Sequence, residues 1–179
     1  SLCAMPPNVA IEIARALKIH TVDYEVIPCS QVDQRMETVR KGYNYEGEVM
    51  YFLDSDNSVI GLLKKKTIWY IVCRAIREKL KYACNQHKKN PATHDMAKSI
   101  KKVEQRISEI QKWLSLDDET TEKWKKLGVQ CLKWCIQKLD LNEIQLDDIV
   151  DRFPVVWQKY LKETDQTDHI PSKCIADNA

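Results

Sequence analysis

An acid, Glu46, and a lysine triplet, Lys64-Lys65-Lys66, are the residues of this chain whose types and spacing best suit chemistry. Between them lie two apolar, β-prone runs, Glu48 to Leu53 and Val59 to Leu63, separated by Ser55-Asp56-Asn57. That pattern predicts a β-hairpin with a short polar turn. A hairpin brings its open ends together, so Glu46 is expected within reach of Lys64 or Lys66. A carboxylate beside ammonium groups on a rigid sheet suits a metal-bound polyphosphate. The acid would hold Mg²⁺, directly or through water, and the lysines would neutralise phosphate oxygens. Side chains alternate along a strand, so Lys64 and Lys66 share one face and Lys65 points to the other. Glu46 is expected on the Lys64/Lys66 side. The same residues also fit a solvated sheet edge guarded by lysines, and both alternatives stay open on spacing alone.

The residues that extend this pattern are Glu46-Gly47-x-Val49 on the first strand and Lys64-x-Lys66-Thr67-x-Trp69-Tyr70 after the second. They resemble the fourth and fifth motifs of the phage-type ATP-dependent RNA ligases, a group within the covalent nucleotidyltransferase superfamily. The resemblance runs over roughly residues 8 to 75. It implies ATP and Mg²⁺ as cofactors and RNA 5′-phosphate and 3′-hydroxyl ends as partners. It implies a reaction in which a lysine takes AMP from ATP, passes it to the RNA 5′-phosphate, and is followed by displacement of AMP by the 3′-hydroxyl. Glu46 would position the metal and Lys64 and Lys66 would contact the phosphates, while Thr67, Trp69 and Tyr70 pack the wall behind them.

The nucleophile motif of these ligases is Lys-x-(Asp/Asn/His)-Gly and lies upstream of the hairpin. The one Lys-x-x-Gly here is Lys125-Lys126-Leu127-Gly128. Leu127 replaces the polar residue, the site follows the hairpin, and it sits in a helical pattern, so it does not qualify. The resemblance therefore implies the C-terminal portion of a ligase, with the N-terminal part of the same protein as a partner. The alternative is a non-catalytic helical module that binds RNA or protein and carries a degenerate ligase-like sheet.

The formal net charge is only +2, but residues 61–112 carry fourteen Lys/Arg against four acids, a block of +10 that leaves −8 elsewhere. Such a block is the footprint expected for a polyanion partner. Arg74, Arg77 and Lys81 fall at helical spacing just past the hairpin and are the candidate RNA-binding residues.

The elements that must position these groups follow from periodicity. A short amphipathic helix is expected from Asn8, its N-cap, to Leu17, a strand over His20–Ile27, and a polar helix capped by Ser30 and closed by Gly42. After the hairpin, Thr67–His87 reads as a long helix. Asn90-Pro91 marks a stop and restart. Met96, Ile100, Val103, Ile107, Ile110 and Leu114 form a narrow seam suited to parallel or antiparallel helix packing. A further helix starts at Ser115–Asp118, with Gly128 inside it permitting close helix approach, and two shorter helices cover Ile144–Val150 and Val155–Leu161. The expectation is an α+β chain, mostly α. Residues 1–66 form a small sheet remnant of a nucleotidyltransferase domain, 67–163 a C-terminal helical bundle, and 164–179 a flexible tail.

An apolar fraction of 44% can build a core, and no run suits a membrane span. Ser1 to Ala10 lack the basic start and apolar stretch of a signal peptide. Seven irregularly spaced cysteines read as reduced, partly buried thiols and point to the cytoplasm or nucleus. His20, His87, His94 and His169 are scattered and read as surface or packing residues.

Overall fold

The computed structural model describes residues 5–172. It is α+β and mostly α, with one two-stranded antiparallel sheet and seven α-helices among those residues. Helix α1 spans Pro7–Ala16 and α2 spans Val32–Arg40. Strands β1 (Gly47–Leu53) and β2 (Val59–Lys66) form the expected hairpin. Helices α3 (Ile68–Lys89), α4 (Met96–Leu114) and α5 (Asp118–Asp140) are long, and α6 (Leu146–Asp151) and α7 (Phe153–Glu163) are short.

Local chemistry explains most boundaries. Asp54 closes the hairpin turn: its carboxylate accepts from the Asp56 and Ser58 amides at 3.0 and 2.8 Å, and Asn57 takes the left-handed conformation. A bulge leaves Ile60 unpaired, because Phe52 faces Gly61 and Leu53 faces Val59. The side chains of Thr67, Asp95 and Asp117 cap α3, α4 and α5 by accepting from Tyr70, Lys98 and Thr120 amides. Ser115 ends α4 in the left-handed conformation rather than opening α5.

The core lies in the bundle. Val72, Ile76 and Leu80 of α3 meet Val103, Ile107 and Ile110 of α4 and the apolar face of α5, with α6 and α7 closing the far side. Gly128 is where α5 comes closest to its neighbours. A Cβ there would lie 3.0 Å from Val103 Cγ1 and 3.2 Å from Ile76 Cγ1, so the absent side chain lets three helices approach. Tyr160 is fully buried and donates its hydroxyl to the Leu127 carbonyl at 3.1 Å, which locks α7 onto α5.

Four expectations differ from what is observed. His20–Ile27 is not a strand: among the described residues no partner strand lies beside it, and Arg15 ties Thr21 and Asp23 back to α1 at 3.3 and 3.2 Å. β-Propensity needs a neighbouring ladder to be realised. Asn8 is not a cap, because Pro6 precedes the helix and Pro7 occupies its first position. Ser30 lies in a 3₁₀ turn, Cys29–Gln31, ahead of α2. Of the segment expected as tail, residues 164–172 turn back on the bundle, and Ile170 is fully buried in its core. The remainder of that segment lies outside the described residues, as do Cys3 and Cys174.

Candidate phosphate site at the hairpin mouth

The hairpin has two unlike faces. Arg35 of α2 makes a bidentate pair with Glu48, both nitrogens at 2.8 Å, so α2 covers the face that carries Glu48, Met50 and Phe52. Arg40 adds a hydrogen bond to the Lys66 carbonyl at 3.3 Å. The opposite face carries Val49, Tyr51, Leu62, Lys64 and Lys66 and is open, with Leu62 53% exposed.

Glu46 stands just before β1, where strict alternation would place it with Glu48. Gly47 changes that. Its φ of 149° belongs to glycine, and a Cβ there would meet the Lys65 carbonyl oxygen at 2.0 Å. Through this residue Glu46 reaches the open face, where its Oε1 lies 2.9 Å from Lys64 Nζ and 3.4 Å from Lys66 Nζ. The expected juxtaposition of Glu46 with both lysines is therefore present, on the expected face.

Thr67 fixes this mouth. Its amide donates to the Glu46 carbonyl at 3.0 Å, its hydroxyl donates to the Tyr45 carbonyl at 2.9 Å, and the same oxygen caps α3. One buried side chain thus joins both hairpin ends to the first turn of the long helix. Trp69 packs edge-on against Tyr43, with ring centroids 5.8 Å apart. Tyr70 has a second role beside packing, since Lys66 Nζ lies over its ring at 5.0 Å.

The charges are mutually tuned. The Lys64 ammonium holds the Glu46 carboxyl below the usual range, and Lys66 adds to the effect. Glu46 in turn raises Lys64, while Arg74 opposes that shift through its own positive charge. Arg74, one of the three helical candidates, is exposed on α3, near enough for its charge to act on Lys64. Arg77 is held by Glu78 at 2.9 Å, and Lys81 is exposed further along α3. All three lie on α3.

Lys64 and Lys66 present positive charge around one carboxylate, an arrangement suited to an anion with several oxygens. Glu46 supplies one oxygen-ligand side chain, and the described residues hold no group of three or more His, Cys, Asp or Glu arranged for a metal. The residues present would supply Mg²⁺ with a single carboxylate ligand and leave the other positions to water or a ligand, a common mode for that ion.

Lys125, from the disqualified Lys-x-x-Gly, pairs with Glu122 at 2.7 Å within α5. Sequence reasoning missed a second polar cluster. His87 and His94 meet edge-on at 5.2 Å, His87 Nε2 lies 2.7 Å from Asp140 Oδ1, and His94 Nε2 lies 2.9 Å from Ser99 Oγ. The turn after α3 brings His94 beside His87, and the end of α5 brings Asp140 to His87 from 53 residues away, so spacing carried no signal for the cluster. The cysteines at 73, 84, 131 and 135 are buried, and burial pushes the Cys73, Cys84 and Cys131 thiols far up, which makes them inert core residues. No helix among the described residues is long and apolar enough to cross a membrane.

Compared with protein-family models, with curated proteins and with solved structures, the chain matches none.

Proposed function

We propose that the chain is the C-terminal portion of an ATP-dependent RNA ligase of the phage type and that the hairpin mouth contacts Mg²⁺-bound phosphate during RNA end joining. The single observation that carries this reading is the meeting of Glu46, Lys64 and Lys66 on the open face, held there by Gly47 and Thr67. A solvated edge charge needs no such scaffold. Four residues of the motif resemblance, Gly47, Lys64, Lys66 and Thr67, thereby acquire a shared physical task.

In this role Lys64 and Lys66 neutralise phosphate oxygens, and Arg74 extends the positive field onto α3. Glu46 keeps the two ammonium groups together and would offer one oxygen ligand to Mg²⁺, which would supply charge neutralisation when bound. The attacking lysine is supplied by the N-terminal part of the same protein, which covers the open apolar face of the hairpin. The exposed Val49, Tyr51, Ile60 and Leu62 support such a cover.

The test is ATP binding by calorimetry with and without Mg²⁺. The reading expects Mg²⁺ to tighten binding to the wild type and Glu46→Gln to abolish that gain while retaining, or strengthening, Mg²⁺-free binding through the released lysines. Equal Mg²⁺ dependence in both proteins would overturn the metal role of Glu46. Loss of ATP binding in neither Lys64→Gln nor Lys66→Gln would overturn the phosphate site itself. A second expectation is that the chain alone, incubated with α-labelled ATP and Mg²⁺, retains no label after denaturation.

A further inference from the structure

The basic block does not end at the hairpin mouth. On the solvent side of the α3–α4 pair stand two large aromatic rings, Tyr82 of α3, 51% exposed, and Trp113 of α4, 66% exposed. Each carries a cation from α4 on one face. Lys102 Nζ lies 4.2 Å from the Tyr82 centroid, and the Arg106 guanidinium lies 4.8 Å from the Trp113 centroid. Lys102, Arg106 and Trp113 are four and seven residues apart, so they share one flank of α4. From Lys102 to Trp113 that flank runs about 16 Å. Glu109 lies within it and pairs with Arg106 at 2.6 Å.

A lone exposed ring needs no explanation. Two rings on one flank, each backed by a cation, in the segment that carries +10, form a different surface. Each ring is at least half exposed, which leaves area for a flat partner, and the cation is placed to meet a phosphate beside that partner. Aromatic faces alternating with positive charge are what an unpaired nucleic-acid strand requires: bases stack and the backbone is neutralised. A duplex hides its base faces and would use only the charges.

From this geometry we infer that the Tyr82–Lys102–Arg106–Trp113 flank is a stacking platform for single-stranded nucleic acid. It takes from the ligase reading only that the partner is a nucleic acid, and its residues are separate from Glu46, Lys64 and Lys66. Tyr82 and Trp113 stack bases, Lys102 and Arg106 contact phosphates, and Glu109 restrains Arg106.

The experiment is fluorescence anisotropy with a labelled 5′-hydroxyl oligouridylate, chosen because it lacks the terminal phosphate that the hairpin mouth would take. Tyr82→Ala and Trp113→Ala should each weaken binding by about 5- to 100-fold, with Trp113→Phe restoring most of the loss. Lys102→Gln should lower the slope of log affinity against log salt by about one. Glu109→Gln should tighten binding. Circular dichroism melts matching the wild type establish that these exposed substitutions leave the fold intact. Wild-type affinity in both aromatic variants overturns the platform, as does a duplex that binds as tightly as the single strand, or no binding at low salt. Mg²⁺-dependent ATP binding reads the hairpin mouth separately, so loss of the platform and loss of the hairpin site give different results.

Discussion

Residues 5–66 and residues 67–172 treat their apolar side chains in opposite ways. Among the described residues, every buried apolar side chain except Val39 and Val59 lies at Val72 or beyond. All the exposed large apolar residues except Tyr82, Trp113, Leu141 and Val155 lie before Leu63. The bundle closes its own core; the front part does not. α1 buries no residue at all, and the hairpin buries one face against α2 while leaving the other bare. Two strands are too few to shield both sides of a sheet. The difference teaches where each part's order comes from. Hydrophobic packing holds the bundle, whereas polar ties from Thr67, Arg35 and Arg40 to particular backbone and carboxylate atoms hold the hairpin mouth in place.

The largest expected effect is in the bundle. Trp124 is fully buried, and Trp124→Ala should cost about 3–5 kcal/mol. Chemical denaturation checks this, and a loss below about 1 kcal/mol would mean that the bundle is not the stability core. Next comes Gly47→Ala, where a Cβ collides with the Lys65 carbonyl in a conformation alanine resists. It should cost about 2–3 kcal/mol and separate Glu46 from the lysines, seen as a shift of the Glu46 carboxyl titration back toward the ordinary glutamate value. An unchanged titration would break the link between this glycine and the site.

A smaller effect sharpens the contrast from the other side. Leu62→Ser on the open face should change stability by less than about 0.5 kcal/mol, whereas the same kind of change at Leu80, fully buried in the bundle, should cost several times more. Equal losses would show that the open face is already packed. The smallest effect concerns His94, whose pKa is lowered by burial first and by neighbouring His87 second, with Asp95 opposing. A base with a lowered folded pKa favours the neutral form in the native state. Stability is therefore full above the ordinary histidine range and falls slightly as pH drops through that range toward the lowered folded value. A thermal-melt series between pH 7.5 and 5.5 reads this, and His94→Gln should remove the contribution.

Much of the architecture was legible in the residues themselves. The seam at Val103, Ile107 and Ile110, the long helix after the hairpin, the Asp54–Ser58 turn and the packing role of Gly128 all follow from local periodicity and side-chain chemistry. The charge meeting at the mouth was legible because a hairpin has only one way to bring its ends together. What was hidden depended on partners distant in sequence. His20–Ile27 has strand-like alternation but no strand beside it. Ile170 lies in a polar stretch and is buried only because α7 leads it back to the core. Tyr82 and Lys102 come together only when α4 returns along α3. Gly47 was legible as a motif residue, and its positive φ, the reason Glu46 changes face, was not.

The central claim is that Lys64 and Lys66, gathered by Glu46, form a phosphate site. It is tested most directly by comparing 5′-phosphorylated with 5′-hydroxyl RNA of the same sequence, as affinity against salt concentration. The account predicts that the wild type prefers the 5′-phosphate in the presence of Mg²⁺, and that the preference disappears in the Lys64→Gln/Lys66→Gln double variant. It also predicts a partial loss for Arg74→Gln and little loss for Arg77→Gln, whose guanidinium is engaged by Glu78. A wild type indifferent to the 5′-phosphate, or a double variant that keeps the preference, would contradict it.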